Sequence, residues 1–453
     1  MGGTHVAVVT GLVVALAGPP APAAAAVCAA PVPSTTQPGY LVADPDCDLD
    51  GTPFAALPGA RTWTGVSAGA AYRIEVPRAW NGQLVVFAHG YRGTGTTVSV
   101  DNPDLRAAYV ARGYAWAASS YATNGYDVGQ GVRDSVALID GFRRATGVRP
   151  ESVLMSGKSM GGHVTAVAIE EYPRAFTGAM PYCGVLGDTA LHDYFLDANV
   201  TGAALAGVDA EFPPHPDAGY RARWEEQVGR IVPALGLPSG STPAGRTWSA
   251  VLERRSGGER PGFGSAFTFW NSQAYGNLPF LFGLHPGLSG GTAGIAPGNV
   301  TDNRHTVYRS TDRWWPTRAE WRLNRDVLRV RRTAKADPGL AGIPDIDGRP
   351  RVPVLSLHDI GDLFVPFSME QVYAARGGQF VSRAIRGVGH CDFTQSELTE
   401  AFDDLTRWIR TGHRAAGDAV LDRRAVADPA FGCRWTRGRH ANFVAPPCPS
   451  SVG

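Results

Sequence analysis

The sequence predicts an α/β protein in which a mostly parallel sheet is flanked by helices and interrupted by one large insertion. Two separated regions, about residues 60–187 and 350–412, carry short apolar runs that alternate with helical spacing. This alternation is typical of a parallel sheet covered by helices. Residues 188–349 lose that rhythm and are rich in Gly and Pro. A chain of 453 residues also exceeds the usual span of one domain, which favours a core with an insertion.

The core elements can be assigned in chain order from their hydrophobic spacing. Apolar runs predict strands at Gln83–Ala88, Tyr114–Ser119, Ser152–Ser156, Phe176–Tyr182 and Val352–Leu357. Helical spacing predicts helices at Ser135–Thr146, Gly161–Tyr172 and about Gln395–Thr411. Short apolar runs do not by themselves separate a buried strand from a buried helix.

We interpret the insertion, residues 188–349, as a cap on this core, and residues 413–453 as an irregular C-terminal tail. The cap contains six of the eleven tryptophans of the chain: Trp224, Trp248, Trp270, Trp314, Trp315 and Trp321. Large aromatic side chains pack a core or line a ligand pocket. Both roles stay open for these tryptophans.

The N-terminus has the order of a secretory signal. An apolar stretch from Val6 to Ala17 precedes Pro19–Pro22 and the small-residue run Ala23–Ala26. We therefore predict a signal peptide at residues 1–26 and an N-terminal extension at 27–59. The apolar stretch is short for a bilayer span, so no stable membrane anchor is expected. A lipoprotein with Cys28 as the modified residue is the alternative.

The charge and the cysteine content narrow the possible functions and the cellular compartment of this protein. The net charge of +1 and the absence of a run of basic residues argue against nucleic-acid binding and against an anionic-membrane face. Only Lys158 and Lys335 are lysines, a bias that suggests a GC-rich bacterial genome. Six cysteines fit an oxidising compartment. Proximity favours Cys28–Cys47 and Cys433–Cys448, which leaves Cys183 and Cys391, although fifteen pairings and free thiols are possible.

The most informative motif is Gly157-Lys158-Ser159-Met160-Gly161, which matches G-x-S-x-G. It follows a predicted strand and precedes a predicted helix. Glycines are needed because a Cβ on either side of the sharply turned serine would collide with its surroundings. Gly-Lys-Ser also ends the phosphate-binding P-loop, but that loop requires glycine where this chain has Ser152.

A serine hydroxyl needs a histidine to accept its proton and a carboxylate to orient that histidine. Asp362 follows the resumed strand and His390 precedes the last helix, so the order Ser159, Asp362, His390 is complete. Asp359, three residues earlier at the strand end, is the second candidate for the acid.

These segments resemble the α/β-hydrolase superfamily, over about residues 60–187 and 350–412. The resemblance implies an α/β-hydrolase fold with Ser159 as nucleophile, Asp362 as acid and His390 as base. The segment His89-Gly90-Tyr91 is similar to the H-G segment that supplies an oxyanion donor there. The resemblance implies that the backbone N–H groups of Tyr91 and Met160 hold the oxyanion, as in cutinase-type hydrolases.

Cys391 follows the predicted base, and a disulfide to Cys183 would tether the histidine loop. The arrangement is only partly similar to that of tannases and feruloyl esterases, because there the partner cysteine immediately precedes the nucleophile. Lys158 occupies that position here. Metal-ligand spacing is weak throughout, so we expect neither metal nor cofactor.

The sequence thus predicts a secreted serine hydrolase of bacterial origin that acts on a small-molecule or polymeric carboxylic ester. The first alternative is a serine peptidase, through a loose similarity to prolyl oligopeptidase-like domains. The second is a catalytically inactive binding protein that keeps the fold. The oligomeric state is left open.

Overall fold

The computed structural model describes residues 28–289, 299–333 and 344–449. The predicted signal peptide, residues 1–26, lies outside these ranges. In the described residues, the strands in chain order are β1 (Val32–Pro33), β2 (Leu41–Val42), β3 (Ala60–Ser67), β4 (Ala70–Pro77), β5 (Gln83–Ala88), β6 (Thr97–Val98), β7 (Ala115–Ser119), β8 (Ser152–Lys158), β9 (Gly178–Tyr182), β10 (Ala274–Tyr275), β11 (Leu278–Pro279), β12 (Val354–Asp359) and β13 (Phe380–Ile385). The helices are α1 (Arg106–Ala111), α2 (Val128–Thr146), α3 (Met160–Glu171), α4 (Ala190–Leu205), α5 (Tyr220–Leu235), α6 (Pro243–Arg255), α7 (Phe263–Ser272), α8 (Phe280–Gly283), α9 (Arg318–Asp326), α10 (Ser368–Arg376), α11 (Gln395–Thr411) and α12 (Arg423–Val426).

The described chain builds an eight-stranded sheet in the order β13-β12-β9-β8-β5-β7-β4-β3. The six strands from β13 to β7 pair in parallel, while β4 is antiparallel to both β7 and β3. After β7 the chain returns through α2 to β8, on the other side of β5. The strand order therefore reverses around β5, and such a reversal opens a crevice at the carboxyl ends of parallel strands.

Both faces of the sheet are buried, as parallel strands require. Alternate residues of β5 point to opposite faces: Leu84 and Val86 join the core beneath α2 and α3, whereas Val85 and Phe87 join the core beneath α1 and α11. This two-sided burial explains why the strands read as continuous apolar runs in the sequence.

The predicted core strands and helices are present with small shifts of their ends. The largest difference is α2, which begins at Val128 rather than Ser135 because the Asp127 side chain caps the helix by accepting from the Gln130 N–H. Helix α11 spans Gln395–Thr411 as expected, and a capping box between Thr394 and Glu397 fixes its start.

The assignment of residues 188–349 as a cap stays a prediction, and the name cap is kept here for this segment. It contains helices α4 to α9, and Trp224 and Trp248 are fully buried among them. The six cysteines of the chain form the disulfides Cys28–Cys47, Cys183–Cys391 and Cys433–Cys448. No helix among the described residues is both long enough and apolar enough to cross a bilayer.

Candidate active site

Ser159 lies on a tight turn between β8 and α3. Its φ of 57° places a non-glycine residue in the left-handed region, where backbone strain is usual. A Cβ on Gly157 would lie 2.2 Å from the carbonyl oxygen of Gly161, and a Cβ on Gly161 would lie 2.1 Å from that of Ala88. Both positions therefore require glycine, for the reason that the motif suggested.

His390 contacts both Ser159 and Asp362. Its Nε2 atom lies 2.8 Å from Ser159 Oγ, and its Nδ1 atom lies 2.6 Å from Asp362 Oδ2. The other oxygen of the fully buried Asp362 accepts from the backbone N–H groups of Phe364 and Val365 at 2.8 and 3.1 Å. With its proton on Nδ1, the imidazole can accept the hydroxyl proton of Ser159 while Asp362 fixes its orientation.

Asp359, the second candidate for the acid, faces a different partner. Its Oδ2 atom accepts from the backbone N–H of Asp392 at 2.9 Å. Burial, followed by the nearby charge of Asp362, raises the pKa of Asp359 well above its ordinary value. Asp359 thus supports the loop that carries His390, and Asp362 is the carboxylate in contact with the imidazole.

The segment His89–Tyr91 lies beside the serine. A Cβ on Gly90 would be 3.0 Å from Ser159 Cβ, and the His89 ring lies 2.7 Å from the carbonyl oxygen of Gly90 through Nδ1. The Tyr91 N–H points away from that ring, because C=O and N–H oppose each other across a trans peptide. Within the described residues, neither Tyr91 nor Met160 donates its backbone N–H to a protein acceptor.

The His89 side chain is structural in this arrangement. It is buried, stacks on Tyr121 with ring centroids 4.0 Å apart, and contacts the carbonyl oxygen of Ser120 at 3.0 Å. Burial, aided by the positive charge of Arg92, lowers the pKa of His89 to about 4. A stacked ring whose two nitrogens face the carbonyl oxygens of Gly90 and Ser120 fixes the conformation of the Gly90–Tyr91 peptide.

A disulfide holds the histidine loop against the sheet. Cys183 directly follows β9, and Cys391 directly follows His390. The Sγ atoms of both cysteines and a ring nitrogen of His390 form the one group with metal-ligand spacing found in the described ranges. Both sulfurs are in the disulfide, so they offer no thiolate to a metal.

Lys158, the residue before the nucleophile, is paired rather than free. Its Nζ atom lies 3.0 and 3.2 Å from the two carboxylate oxygens of Asp104, which also accepts from the Tyr182 hydroxyl at 2.8 Å. No sequence motif pointed to Asp104 as a residue of this site, because the residues it contacts are distant along the chain.

A pocket of about 570 Å³ opens over Ser159. Its lining residues are Gly90, Tyr91, Arg92, Asp101, Asp104, Lys158, Ser159, Phe364, His390, Cys391, Phe393, Gln395 and Leu398. Phe364 lies edge-on to the His390 ring, with centroids 5.0 Å apart, and contacts Phe280 of the cap. The aromatic wall of this pocket comes from Tyr91, Phe364 and Phe393, whereas none of the cap tryptophans lines it in the described structure.

Trp270 links the cap to the two loops that carry Asp362 and His390. Its indole Nε1–H lies 2.8 Å from the carbonyl oxygen of Val388 and 3.1 Å from that of Gly361. These residues are two before His390 and one before Asp362. Nearby, the buried guanidinium of Arg260 donates to the carbonyl oxygen of Ile360. Sequence reasoning missed both contacts, since it could place Trp270 only in the cap.

The strand order and the positions of Ser159, Asp362 and His390 identify the fold. A parallel sheet whose order reverses at β5, a serine at the turn after β8, and an acid and a histidine after β12 and β13 make up the α/β-hydrolase fold. The resemblance inferred from the sequence is confirmed at the level of the fold.

Comparison with known proteins places this chain among distant relatives. No protein-family model matches it. An o-phthalyl amidase from Xanthobacter agilis is 29% identical over 107 residues, which are 22% of this chain and 22% of that enzyme. Feruloyl esterase B from Aspergillus oryzae is 14% identical, with 82% of this chain and 84% of that chain covered and a TM-score of 0.44. The acylaminoacyl peptidase from Pyrococcus horikoshii is 10% identical, with 82% and 44% covered and a TM-score of 0.37.

Proposed function

We propose that this chain is a secreted serine hydrolase that cleaves carboxylic esters through an acyl-enzyme on Ser159. One observation carries the proposal: the hydroxyl of Ser159, the imidazole of His390 and the carboxylate of Asp362 form a continuous hydrogen-bonded chain. Its outer end, the serine hydroxyl, opens into the pocket, where an acyl group can reach it.

In the first half of the reaction, His390 Nε2 takes the proton of the Ser159 hydroxyl as Oγ attacks the acyl carbon. The negative charge that develops on the acyl oxygen is met by the backbone N–H groups of Tyr91 and Met160. Loss of one such donor typically costs about 3 to 4 kcal/mol of transition-state stabilisation. His390 then gives its proton to the leaving alcohol oxygen.

In the second half, His390 removes a proton from water, which attacks the acyl carbon and releases the acid from Ser159. Asp362 keeps the imidazole in the tautomer that both halves need. Its hydrogen bonds from Phe364 and Val365 hold the carboxylate in place throughout. No step calls for a metal or a cofactor.

We further propose that residues 188–349 are a cap that shapes the acyl side of the pocket. Phe364, which borders His390, also lies near the cap aromatics Phe195 and Phe280, with ring centroids 6.1 and 5.2 Å away. A small-molecule or polymeric ester with a bulky, partly apolar acyl group fits these surroundings. The predicted signal peptide and the three disulfides support a secreted protein.

Hydrolysis of amide bonds is the second candidate, favoured by the local similarity to an o-phthalyl amidase. Ester and amide cleavage share the acyl-enzyme, but an amine leaves less readily and depends more on protonation by His390. The two candidates therefore differ in turnover, not in the residues used.

The experiment compares short- and long-chain p-nitrophenyl esters, aminoacyl-nitroanilides and a fluorophosphonate probe on the mature chain. We expect the probe to label the parent and not Ser159→Ala, with turnover of esters well above that of amides. Amide turnover without ester turnover would favour a peptidase. Equal labelling of the parent and Ser159→Ala would refute the nucleophile assignment, and the absence of both labelling and turnover would favour the binding protein.

A further inference from the structure

Three tryptophans of the cap are exposed within eight residues of sequence. Trp314, Trp315 and Trp321 are 85%, 76% and 64% exposed, whereas Trp224 and Trp248 in the same cap are fully buried. Large apolar side chains exposed as a group mark interaction surfaces more often than a single exposed one does. Among the described residues, the aromatic ring contact of this group is the one between Trp314 and Trp315, and none of the three rings belongs to a buried cluster.

Helix α9 adds positive charge to this group. Arg318, Trp321, Arg322 and Arg325 follow the helical spacing i, i+3, i+4 and i+7, and all four are exposed. Arg325 pairs with Asp326, while Arg318 and Arg322 have no ion-pair partner among the described residues. Across residues 304–332 the sequence holds nine arginines and three acidic residues, of which Glu320 is buried. We call Trp314, Trp315, Arg318, Trp321, Arg322 and Arg325 the tryptophan–arginine face.

Buried residues anchor the two segments that carry the tryptophan–arginine face. The buried Glu320 carboxylate accepts from the backbone N–H groups of Ser310, Thr311 and Thr317, so it closes the turn that presents Trp314 and Trp315. On the same side of α9, Leu323 packs into a cluster with residues of α4. The exposed side chains therefore extend from a turn and a helix that are each anchored to the cap.

Trp315 and Arg318 are three residues apart, so their Cα atoms lie within about 11 Å of each other. The exposed rings and guanidinium groups thus lie on adjoining segments. The rings of Trp314 and Trp315 stand at 87° to each other, which does not offer the flat platform on which sugar rings or a planar polymer would stack.

We propose that the tryptophan–arginine face binds the surface of an anionic lipid membrane. Indole rings prefer the interfacial layer of a bilayer, and arginines near an anionic surface are attracted to lipid phosphates. This proposal reverses the sequence-based expectation of no anionic-membrane face, because the arginines are spaced rather than consecutive and converge only when α9 forms. Membrane binding here is peripheral and independent of the chemistry at Ser159.

The test is cosedimentation of the full chain with phosphatidylcholine vesicles, with and without phosphatidylglycerol. We expect binding that requires phosphatidylglycerol and weakens as salt rises. Arg318→Gln with Arg322→Gln should lower the partition coefficient roughly twentyfold. Trp314→Ala, Trp315→Ala and Trp321→Ala together should abolish quenching of tryptophan fluorescence by brominated lipid.

Arg143→Gln with Arg144→Gln on α2 is the matched control, since both arginines are exposed on a helix of the core. It should bind vesicles as the parent does. Equal binding by parent and Arg318/Arg322 variant, or binding to phosphatidylcholine alone, would overturn the proposal. So would retention by an acidic polysaccharide such as alginate without vesicle binding, which would assign the face to an anionic polymer. All of these variants should hydrolyse a soluble ester at the rate of the parent. This assay tests the proposed hydrolase function separately from membrane binding.

Discussion

The indole N–H of Trp270 lies 2.8 Å from the carbonyl oxygen of Val388, two residues before His390. The same N–H lies 3.1 Å from the carbonyl oxygen of Gly361, next to Asp362. One cap side chain thus connects the loops of the acid and the base. Trp270 packs behind the pocket residue Phe364 and does not itself line the pocket over Ser159, so we regard it as a positioning residue.

Trp270→Phe keeps a six-membered aromatic ring and removes the shared donor together with the pyrrole part of the indole. We expect kcat on a soluble ester to fall about tenfold while KM stays close to that of the parent, because a lost hydrogen bond of roughly 1 to 2 kcal/mol loosens the catalytic geometry. Trp435→Phe is the matched control, since the buried Nε1 of Trp435 has no partner in the described structure. Equal losses in both variants would reduce Trp270 to a packing role.

The two aspartates at the end of β12 should differ sharply in their sensitivity to replacement. Asp362→Asn should lower kcat by about four orders of magnitude, because the amide cannot hold the histidine in the required tautomer. Asp359→Asn should retain most of the activity, since the raised pKa of Asp359 favours a neutral carboxyl, which an amide imitates. Steady-state kinetics of both variants is the measurement, and the reverse ranking would make Asp359 the acid.

The turn that carries Ser159 should not tolerate a side chain at Gly157. Gly157→Ala places a Cβ 2.2 Å from a backbone carbonyl oxygen, so we expect a strong loss of folded protein. Gly229→Ala on α5 is the control, because a Cβ there meets no atom within 4 Å and alanine favours a helix by roughly 1 kcal/mol. Yield of soluble protein and Tm measure both effects. A Gly157→Ala protein with the parent Tm would contradict the predicted collision.

The disulfide beside His390 should matter for activity as well as for stability. Replacing Cys183 and Cys391 together with alanine should lower both Tm and kcat, because it frees the loop that carries the base. The stability loss should be roughly 2 to 5 kcal/mol. The matching Cys28/Cys47 variant should lower Tm alone, since that bond is far from the site in sequence and outside its pocket. Unchanged kcat in the first variant would count against the tether.

Stability should decline in mild acid because of buried histidines. Burial lowers the pKa of His285 to about 4, and its ring contacts the Tyr220 hydroxyl and lies tilted against Trp224. Between the ordinary value of 6.5 and about 4, the unfolded chain binds this proton and the folded chain does not. The free energy of unfolding therefore falls as pH drops through that window, by roughly 2 to 4 kcal/mol for a fully buried histidine.

The measurement is urea unfolding of the parent and His285→Gln from neutral pH down to about 4. Glutamine does not titrate, so the variant should lose less stability across this window than the parent, even if it is less stable at neutral pH. Parallel pH profiles for the two proteins would show that His285 is not one of the groups responsible. His192, whose pKa is lowered to about 4 by burial, contributes with the same sign.

Local patterns predicted much of the core but little of the cap. The strand Gln83–Ala88 and the helix Gln395–Thr411 were predicted with the bounds they have, since one is a continuous apolar run and the other a regular amphipathic stretch. Strands β3 and β4 went unnoticed, because their apolar and polar residues mix without a clear run. The cap helices were hidden by their glycines and prolines, and their burial depends on contacts between distant segments.

The sequence by itself determined the α/β alternation and the need for glycine around Ser159, because these depend on residues close together in the chain. It also determined the order of serine, aspartate and histidine, which is read directly from their positions. Only the tertiary structure decided which aspartate meets His390, how the six cysteines pair, where Trp270 donates, and which arginines share a surface with Trp321. Each of these is a contact whose geometry is fixed by how the chain packs. A linear pattern carries no record of that distance or direction.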